Sequence, residues 1–145
     1  MTAFTYPARI VEEAPGEFLV TFRDIPEAIT GGATVEESYQ LAADALDVAV
    51  EGLMLDTRDV PSPSPAEDGE VLVPLSPAVA ARLMLVMAMD RQHVSGRALA
   101  ERLGKDEKNV RRILQGKATV DAALEALRAL GIRPALSIGG DRAAA

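Results

Sequence analysis

The sequence predicts an α+β protein in which a small antiparallel sheet with one long helix precedes an all-helical region. Three observations support this prediction. Apolar residues alternate near the start of the chain, as in half-buried strands, and later recur at helical steps of three and four. Charge is divided in the same way. Residues 1 to 70 hold three arginines, no lysine and fifteen acidic residues, a formal charge of -12, whereas residues 71 to 145 hold twelve basic and seven acidic residues, or +5.

The first predicted element is a β-hairpin. The turn signal Ala14-Pro15-Gly16 separates two alternating runs, and Asp24-Ile25-Pro26 ends the second. Residues 29–32 are predicted to form a short third strand or a loop, because Gly31 and Gly32 let the backbone bend. The alternating apolar residues are Phe4, Tyr6, Ala8 and Ile10 in the first strand, and Phe18, Val20 and Phe22 in the second.

A helix is predicted from Thr34 to about Met54. Thr34 and Glu37 form a capping box, in which each side chain satisfies a free backbone N–H at the helix start. The predicted buried stripe is Tyr39, Ala42, Leu46, Ala49, Val50 and Leu53. The opposite face carries Glu37, Gln40, Asp44, Asp47 and Glu51. This acidic ridge is either an ordinary solvated face or a surface for a basic partner, since like charges one turn apart repel and no lysine separates them.

Residues 59–69 are rich in proline and serine and lack apolar periodicity, which predicts an extended, solvated segment. The apolar run 71–75 follows as a short strand. The segment is either an interdomain linker or, if this strand joins the first sheet, a long loop inside the first domain. We prefer the second interpretation, which gives domains at 1–75 and 76–138 and a frayed tail at 139–145.

Helical patterns fill the second domain. Ser76-Pro77 opens a helix to about Asp90, and Thr119 caps a last helix that Gly131 ends; residues 132–138 could add an edge strand. The residues expected to face inward in the first of these helices are Val79, Leu83, Val86 and Met87.

Between these helices, residues 94–117 hold two short helical patterns. Ser95 caps the first, Gly104 ends it, and Asp106 caps the second, which is the organisation of a helix-turn-helix.

The second of these short helices is expected to present a polar, basic face to DNA. Eight of the twelve basic residues of the C-terminal half lie between Arg91 and Lys117. In the major groove, Arg and Lys donate hydrogen bonds to guanine, Asn pairs with the edge of adenine, and Glu accepts from cytosine. The alternative is that Glu107 and Arg111 pair across one helical turn. The candidate DNA-binding residues are Glu107, Lys108, Asn109, Arg111, Arg112, Ser95, Gly96, Gln115 and Lys117.

Composition argues against several other classes of protein. The chain has no cysteine, so a disulfide framework, a thiolate metal site and a cysteine nucleophile are excluded. Neither a secretory signal nor an apolar run long enough to span a bilayer is visible, which predicts a cytoplasmic protein without membrane contact. His93 is the only histidine and is expected on a surface loop. We therefore predict no catalytic residues, metal site or cofactor.

Two stretches resemble known families. The motif at Leu99-Ala100, Leu103-Gly104, Val110, Arg112-Ile113 and Gly116-Lys117 resembles the helix-turn-helix of Cro and XRE phage repressors. The first half resembles the HicB-type antitoxin domain through Tyr6-Pro7-Ala8, Gly16, Phe18 to Phe22, Asp24-Ile25-Pro26, Thr30-Gly31-Gly32, Thr34, Glu36-Glu37 and the alanine-rich helix. It departs from that pattern at Arg23 and Glu27, where the family more often has proline and glycine.

The resemblance implies a partial ribonuclease H-like domain that binds and silences a small basic, mRNA-cleaving ribonuclease toxin of the HicA type. It also implies that the second domain represses its own operon by binding operator double-stranded DNA. One such motif contacts few bases, so we expect a homodimer or a dimer of dimers that reads half-sites about 34 Å apart. The toxin-binding residues are expected to be Asp24, Glu27, Glu37, Asp44, Asp47 and Glu51.

Two other functions remain open. The chain could be a stand-alone transcriptional repressor whose first domain dimerises or senses a ligand. It could also be a metal-dependent nuclease, which would need carboxylates that converge on metal ions. The predicted first strand holds no acidic residue from Phe4 to Val11 and Asp24 lies in a loop, so the nuclease is the weakest of the three.

Overall fold

The computed structural model describes residues 3–138 and confirms a mixed α+β architecture. The chain divides between Ala80 and Ala81 into two compact units. The sheet and the long helix belong to the first unit, and three short helices belong to the second. The elements are β1 (Thr5–Ala14), β2 (Glu17–Phe22), β3 (Ile29–Gly32), α1 (Val35–Leu55), β4 (Glu70–Pro74), α2 (Pro77–Gln92), α3 (Gly96–Leu103), α4 (Glu107–Leu114) and α5 (Val120–Ala129).

The sheet is antiparallel throughout and has the strand order β3-β2-β1-β4. The predicted hairpin is confirmed, and Gly16 takes the left-handed conformation (φ 73°) that its tight turn requires. The third element is a strand rather than a loop. β4 pairs with β1, with Thr5 opposite Pro74, so the proline-rich segment is a loop within the sheet unit.

Helix α1 packs against the strands of this sheet. The predicted cap at Thr34 is formed, since Thr34 Oγ1 accepts from the Glu37 N–H at 3.1 Å. The Glu37 carboxylate reaches back as predicted, but it accepts from the N–H of Ala33, one residue before the N-cap, at 3.2 Å. The buried residues of α1 are Ser38, Ala42, Leu46, Val50 and Leu53. Ser38 was not predicted to be buried. Its hydroxyl group is not left without a hydrogen bond in the core, because it donates to the Thr34 carbonyl at 2.7 Å.

The proline loop, residues 56–69, is solvated but is not free. The buried Tyr6 hydroxyl donates to the Pro61 carbonyl at 2.7 Å. Asp24 accepts from both the N–H and the hydroxyl of Ser64, at 2.7 and 2.8 Å. The predicted solvation of the segment is confirmed, and three side chains outside it, including Arg23 on the Pro65 carbonyl, fix its path.

The second unit is a small helical bundle. Its core contains Leu85 from α2, Leu99 from α3, Val110 and Ile113 from α4, and Leu127 from α5. Each short helix begins at the predicted N-cap, whose side chain accepts from the backbone N–H three residues on. Gly104, at φ 66°, ends α3 in the left-handed conformation.

Two expectations for this unit are wrong. Val86 is 36% exposed and Met87 only partly buried, whereas Ala81, Leu85 and Ala88 are buried instead. Since α2 is apolar on most of its faces, its sequence did not define which face would be buried.

Residues 132–138 form no strand, because no other strand lies within the described part of this unit. The predicted tail 139–145 lies outside the described residues. Among residues 3–138 no helix is both long and apolar enough to cross a bilayer.

Candidate functional site

The exposed face of α4 is the first candidate site. Val110 and Ile113 are 1% and 2% exposed and hold the inner face of the helix against the bundle. Glu107, Lys108 and Asn109 stand in the first turn and are all exposed. Asp106 caps this turn through the Asn109 N–H at 2.8 Å, which fixes the backbone while leaving the Asn109 amide side chain outside. The helix therefore presents donors and acceptors to solvent.

The remaining candidate DNA-binding residues surround this face. Arg111 and Arg112 are exposed, and the Arg112 guanidinium donates to the Lys117 carbonyl at 3.1 Å. No ion pair joins Glu107 to Arg111 within the described residues, so the alternative pairing is not formed. Gln115 is the C-cap residue of α4 and is exposed.

Ser95 and Gly96 mark the start of α3. The Ser95 hydroxyl accepts from the Ala98 N–H at 3.1 Å and is thus engaged in capping. All nine candidate DNA-binding residues lie within residues 95–117 of the second unit. Together they form a solvent-facing set that contains four cations and a single carboxylate.

The six candidate toxin-binding acids have different local roles. The Asp24 side chain is only 11% exposed and holds Ser64 of the proline loop. Asp47 accepts from the Ser76 N–H at 3.0 Å, and Glu37 caps α1. Glu27 is exposed and forms an ion pair with Arg58 at 3.2 Å.

Asp44 is exposed. Glu51, about two helical turns further along the same side of α1, is partly buried. The structure therefore uses Asp24, Asp47 and Glu37 within the unit and leaves Glu27 and Asp44 on its surface.

An apolar groove lies between β3 and α1, beside the surface acids. Its volume is about 310 Å³, and its lining includes Ile29, Val48, Glu27 and Asp44. Ile29 and Val48 are 61% and 71% exposed. Ile29 and Val48 therefore form an exposed apolar pair beside the carboxylates of Glu27 and Asp44. We call this surface the Ile29–Val48 groove.

The sequence interpretation missed this groove. Val48 lies four residues after Asp44, within the face described as an acidic ridge, and this apolar interruption was the available signal. Ile29 gave no such signal because it opens a strand whose exposed side is unknown until the strand is paired.

Electrostatic perturbation in the first unit is concentrated at the proline loop. The hydrogen bond from Arg23 lowers the pKa of Glu70, whose carboxylate accepts from the guanidinium at 3.0 Å. Burial, together with nearby Asp24, raises the pKa of the Tyr6 phenol to about 12. These shifts belong to contacts that fix the loop. Within residues 3–138 no three His, Asp or Glu side chains are grouped as metal ligands.

Comparison with known proteins gives these surfaces a context. Residues 5–84 match the family described as HicB_like antitoxin of bacterial toxin-antitoxin system. Similar curated proteins include Antitoxin HicB of Escherichia coli strain K12, 36% identical over 130 residues that cover 87% of this chain and 93% of that protein. Antitoxin HicB 2 of Photorhabdus laumondii is 37% identical over 128 residues, covering 87% and 90%.

Antitoxin HicB of Pseudomonas fluorescens extends the series at 30% identity over 138 residues, covering 93% of this chain and 94% of that protein. The fold, with its acidic sheet unit and basic helical unit, is thus that of a bacterial antitoxin. The chain belongs to the HicB-like antitoxin family.

Proposed function

We propose that the chain binds and neutralises a small basic ribonuclease toxin of the HicA type through its first unit. We also propose that it represses its own operon by binding operator DNA through its second. The observation that supports both parts is the division of surfaces: the acidic half carries the Ile29–Val48 groove, and the basic half carries the exposed face of α4. We assign residues 1–75 to toxin binding, with a partial ribonuclease H-like architecture, and 76–138 to DNA binding.

The toxin is proposed to cover the Ile29–Val48 groove. An apolar side chain of the toxin would contact Ile29 and Val48, while its basic residues would approach Glu27 and Asp44. This is the usual composition of a protein interface, with an apolar centre and a polar rim. Asp24 and Asp47 support the surface from within, since their carboxylates already hold Ser64 and Ser76.

The DNA contact is proposed to be a Cro- or XRE-like helix-turn-helix formed by α3 and α4. Glu107, Lys108, Asn109 and Arg112 would face base edges, where their hydrogen-bonding groups have matching partners. The amides at the start of α3, near Ser95 and Gly96, would approach a phosphate, as would Arg111, Gln115 and Lys117. Two copies are needed to read two half-sites, so the proposed form is a homodimer or a dimer of dimers.

The decisive experiment is to co-express the chain with the small protein encoded beside it and to purify the pair by a tag on one partner. The proposal expects a stable complex, and it expects the free partner to stop growth and cleave RNA. A harmless neighbour that is not retained would instead indicate a stand-alone repressor.

Two matched variants locate the toxin surface. Val48→Arg places a cation in the groove and should abolish retention of a basic toxin. Leu55→Arg alters a leucine that is 66% exposed at the end of the same helix and should not. Equal retention by both variants would contradict the groove assignment.

A further inference from the structure

The turn that follows α4 contains a glycine whose missing side chain leaves room for an arginine from another helix. Gly116 takes the left-handed conformation (φ 74°) directly after Gln115, the C-cap residue of α4. A Cβ built on Gly116 would lie 2.7 Å from the Cζ of Arg82 and 3.2 Å from its Nη2. Arg82 lies in the part of α2 that belongs to the second unit. Its guanidinium group therefore occupies the space that a side chain at position 116 would need.

Two further cationic residues belong to the same turn. The Arg112 guanidinium donates to the Lys117 carbonyl at 3.1 Å, and Lys117 follows Gly116 directly. Arg112 and Lys117 are exposed, and neither forms an ion pair with a described carboxylate. Arg82, which is partly buried, thus adds a third positive charge from a different helix.

An anion at this turn would be bound by side chains, because the backbone N–H groups are already used. The Gly116 N–H donates to the Ile113 carbonyl at 3.1 Å, and the Lys117 N–H donates to the Arg112 carbonyl at 2.9 Å. An arginine carries five N–H donors in a planar fork that matches two oxygens of a phosphate group. Arg82 can therefore bind a phosphate and still keep contacts within the protein.

We propose that Arg82 is a further DNA-binding residue, which binds a backbone phosphate of the operator together with Lys117 beside the turn after α4. A phosphate held at the end of α4 fixes the position of this helix on the duplex without reading a base. The inference rests on the proposed function and extends the DNA contact beyond residues 95–117, to a helix outside the helix-turn-helix.

The salt dependence of binding separates a phosphate contact from a structural role. Each phosphate that a protein neutralises adds about 0.9 to the slope of the logarithm of the binding constant against that of the salt concentration. Arg82→Gln should reduce this slope by about 0.9 for each copy of the chain bound, and it should weaken binding about tenfold. Arg128→Gln, the same change at an exposed residue near the end of α5, is the matched control and should leave the slope unchanged.

The probes are a labelled DNA duplex from the region upstream of the gene for this chain and an unrelated duplex of equal length. Arg82→Gln should reduce the slope on both, because a phosphate carries no sequence information. Arg82→Lys keeps the cation and should keep the slope, although it binds less tightly because an ammonium group lacks the planar fork.

A second pair of variants tests the same contact from the side of the turn. Gly116→Ala places a Cβ where the Arg82 guanidinium lies, so it should reduce the slope as Arg82→Gln does. Gly104→Ala is strained in the same way, at φ 66°, but its Cβ would meet nothing within 4 Å, so it should leave the slope unchanged.

Each outcome supports or overturns the phosphate contact. An unchanged slope in Arg82→Gln would overturn it, whether the affinity is normal or is lowered through the structure alone, and would leave DNA binding by α4 intact. If the unaltered chain bound neither duplex, the DNA-binding part of the proposed function would fail, and the Arg82 contact would fail with it.

Discussion

The two units of this antitoxin use their charged residues in opposite ways. In the sheet unit, several charged side chains bond to neighbouring segments: Asp24 to Ser64, Arg23 to Glu70, and Asp47 to Ser76. In the helical unit, Lys108 and Arg111 on α4 are exposed and form no hydrogen bond or ion pair through their side chains with any described residue. Part of the charge of the sheet unit is therefore used to fix its loops, whereas the charge of Lys108 and Arg111 stays on the surface of α4.

This difference also explains how a unit with a charge of -12 over its first 70 residues remains compact. Several of its carboxylates accept backbone N–H groups, as Asp47 does from Ser76 and Glu37 from Ala33. Such bonds offset the repulsion between like charges and fix the loops between strands. Of the four experiments that follow, from the largest expected effect to the smallest, three test this use of charge and one tests the turn that ends α3.

The largest effect is expected from the double variant Lys108→Ala with Arg112→Ala. Two base contacts worth about 1 to 3 kcal/mol each would be lost, so operator affinity should fall by about thirtyfold or more. Toxin neutralisation should be unchanged. Lys105→Ala, which removes a side chain 3.8 Å from Glu125, is the control. A normal operator footprint from the double variant would show that α4 is not the recognition helix.

Asp24→Ala should destabilise the sheet unit. It leaves the Ser64 N–H and hydroxyl without their acceptor, and hydrogen bonds to a charged group contribute about 1.5 to 3 kcal/mol to stability. Asp44→Ala removes a solvent-facing carboxylate and should change stability by less than about 0.5 kcal/mol. Urea unfolding followed by circular dichroism measures both. An equal loss of unfolding free energy in the two variants would mean that Asp24 contributes no more to stability than the exposed Asp44.

Gly104→Ala should cost about 1 kcal/mol, because an alanine is strained at φ 66° although its Cβ meets no other atom within 4 Å. Gly52→Ala is the matched control, since Gly52 lies inside α1 and its added Cβ also meets nothing within 4 Å. Alanine there should stabilise the helix by about 0.5 to 1 kcal/mol. Opposite signs in thermal unfolding would confirm that conformation, not space, requires Gly104.

The smallest effect concerns pH. Arg23 lowers the pKa of Glu70 below its ordinary value of 4.5, so the stability from this pair is present above that value and is lost as pH falls through the lowered pKa. Glu70→Gln should remove this part of the acid dependence. Unfolding midpoints at neutral pH and at about pH 3 measure it, with Glu13→Gln, an exposed acid of β1, as control. If the unaltered protein, Glu70→Gln and Glu13→Gln all lost the same stability between neutral pH and about pH 3, the Arg23–Glu70 pair would not contribute to the acid dependence.

Much of the fold could be predicted from local patterns. The N-caps Thr34, Ser95, Asp106 and Thr119 carry their own signal, because a capping side chain bonds within the next three residues. Strand alternation located β1 and β2 for the same reason. Failures occurred where the outcome depends on distant residues: α2 is apolar on most faces, so only its packing decides that Val86 is exposed.

The candidate sites divide along the same line. The exposure of Lys108 could be predicted because helical periodicity places it opposite Val110 and Ile113, whereas Asn109 lies beside that buried face. The capture of Asp24 by Ser64 could not, since forty residues separate them and no periodicity connects a loop to a turn. The Ile29–Val48 groove was missed because its two sides come from different elements.

The position of β4 has a consequence for synthesis. β1 is an interior strand, yet its partner β4 ends at Pro74, which lies opposite Thr5. On the ribosome, one edge of β1 therefore stays open until residues 70–74 have emerged, and closing so long a loop is slow relative to local contacts. The later helices, by contrast, need only neighbours within residues 81–132. The sheet unit is synthesised first, but we expect it to fold more slowly than the helical unit that is synthesised after it.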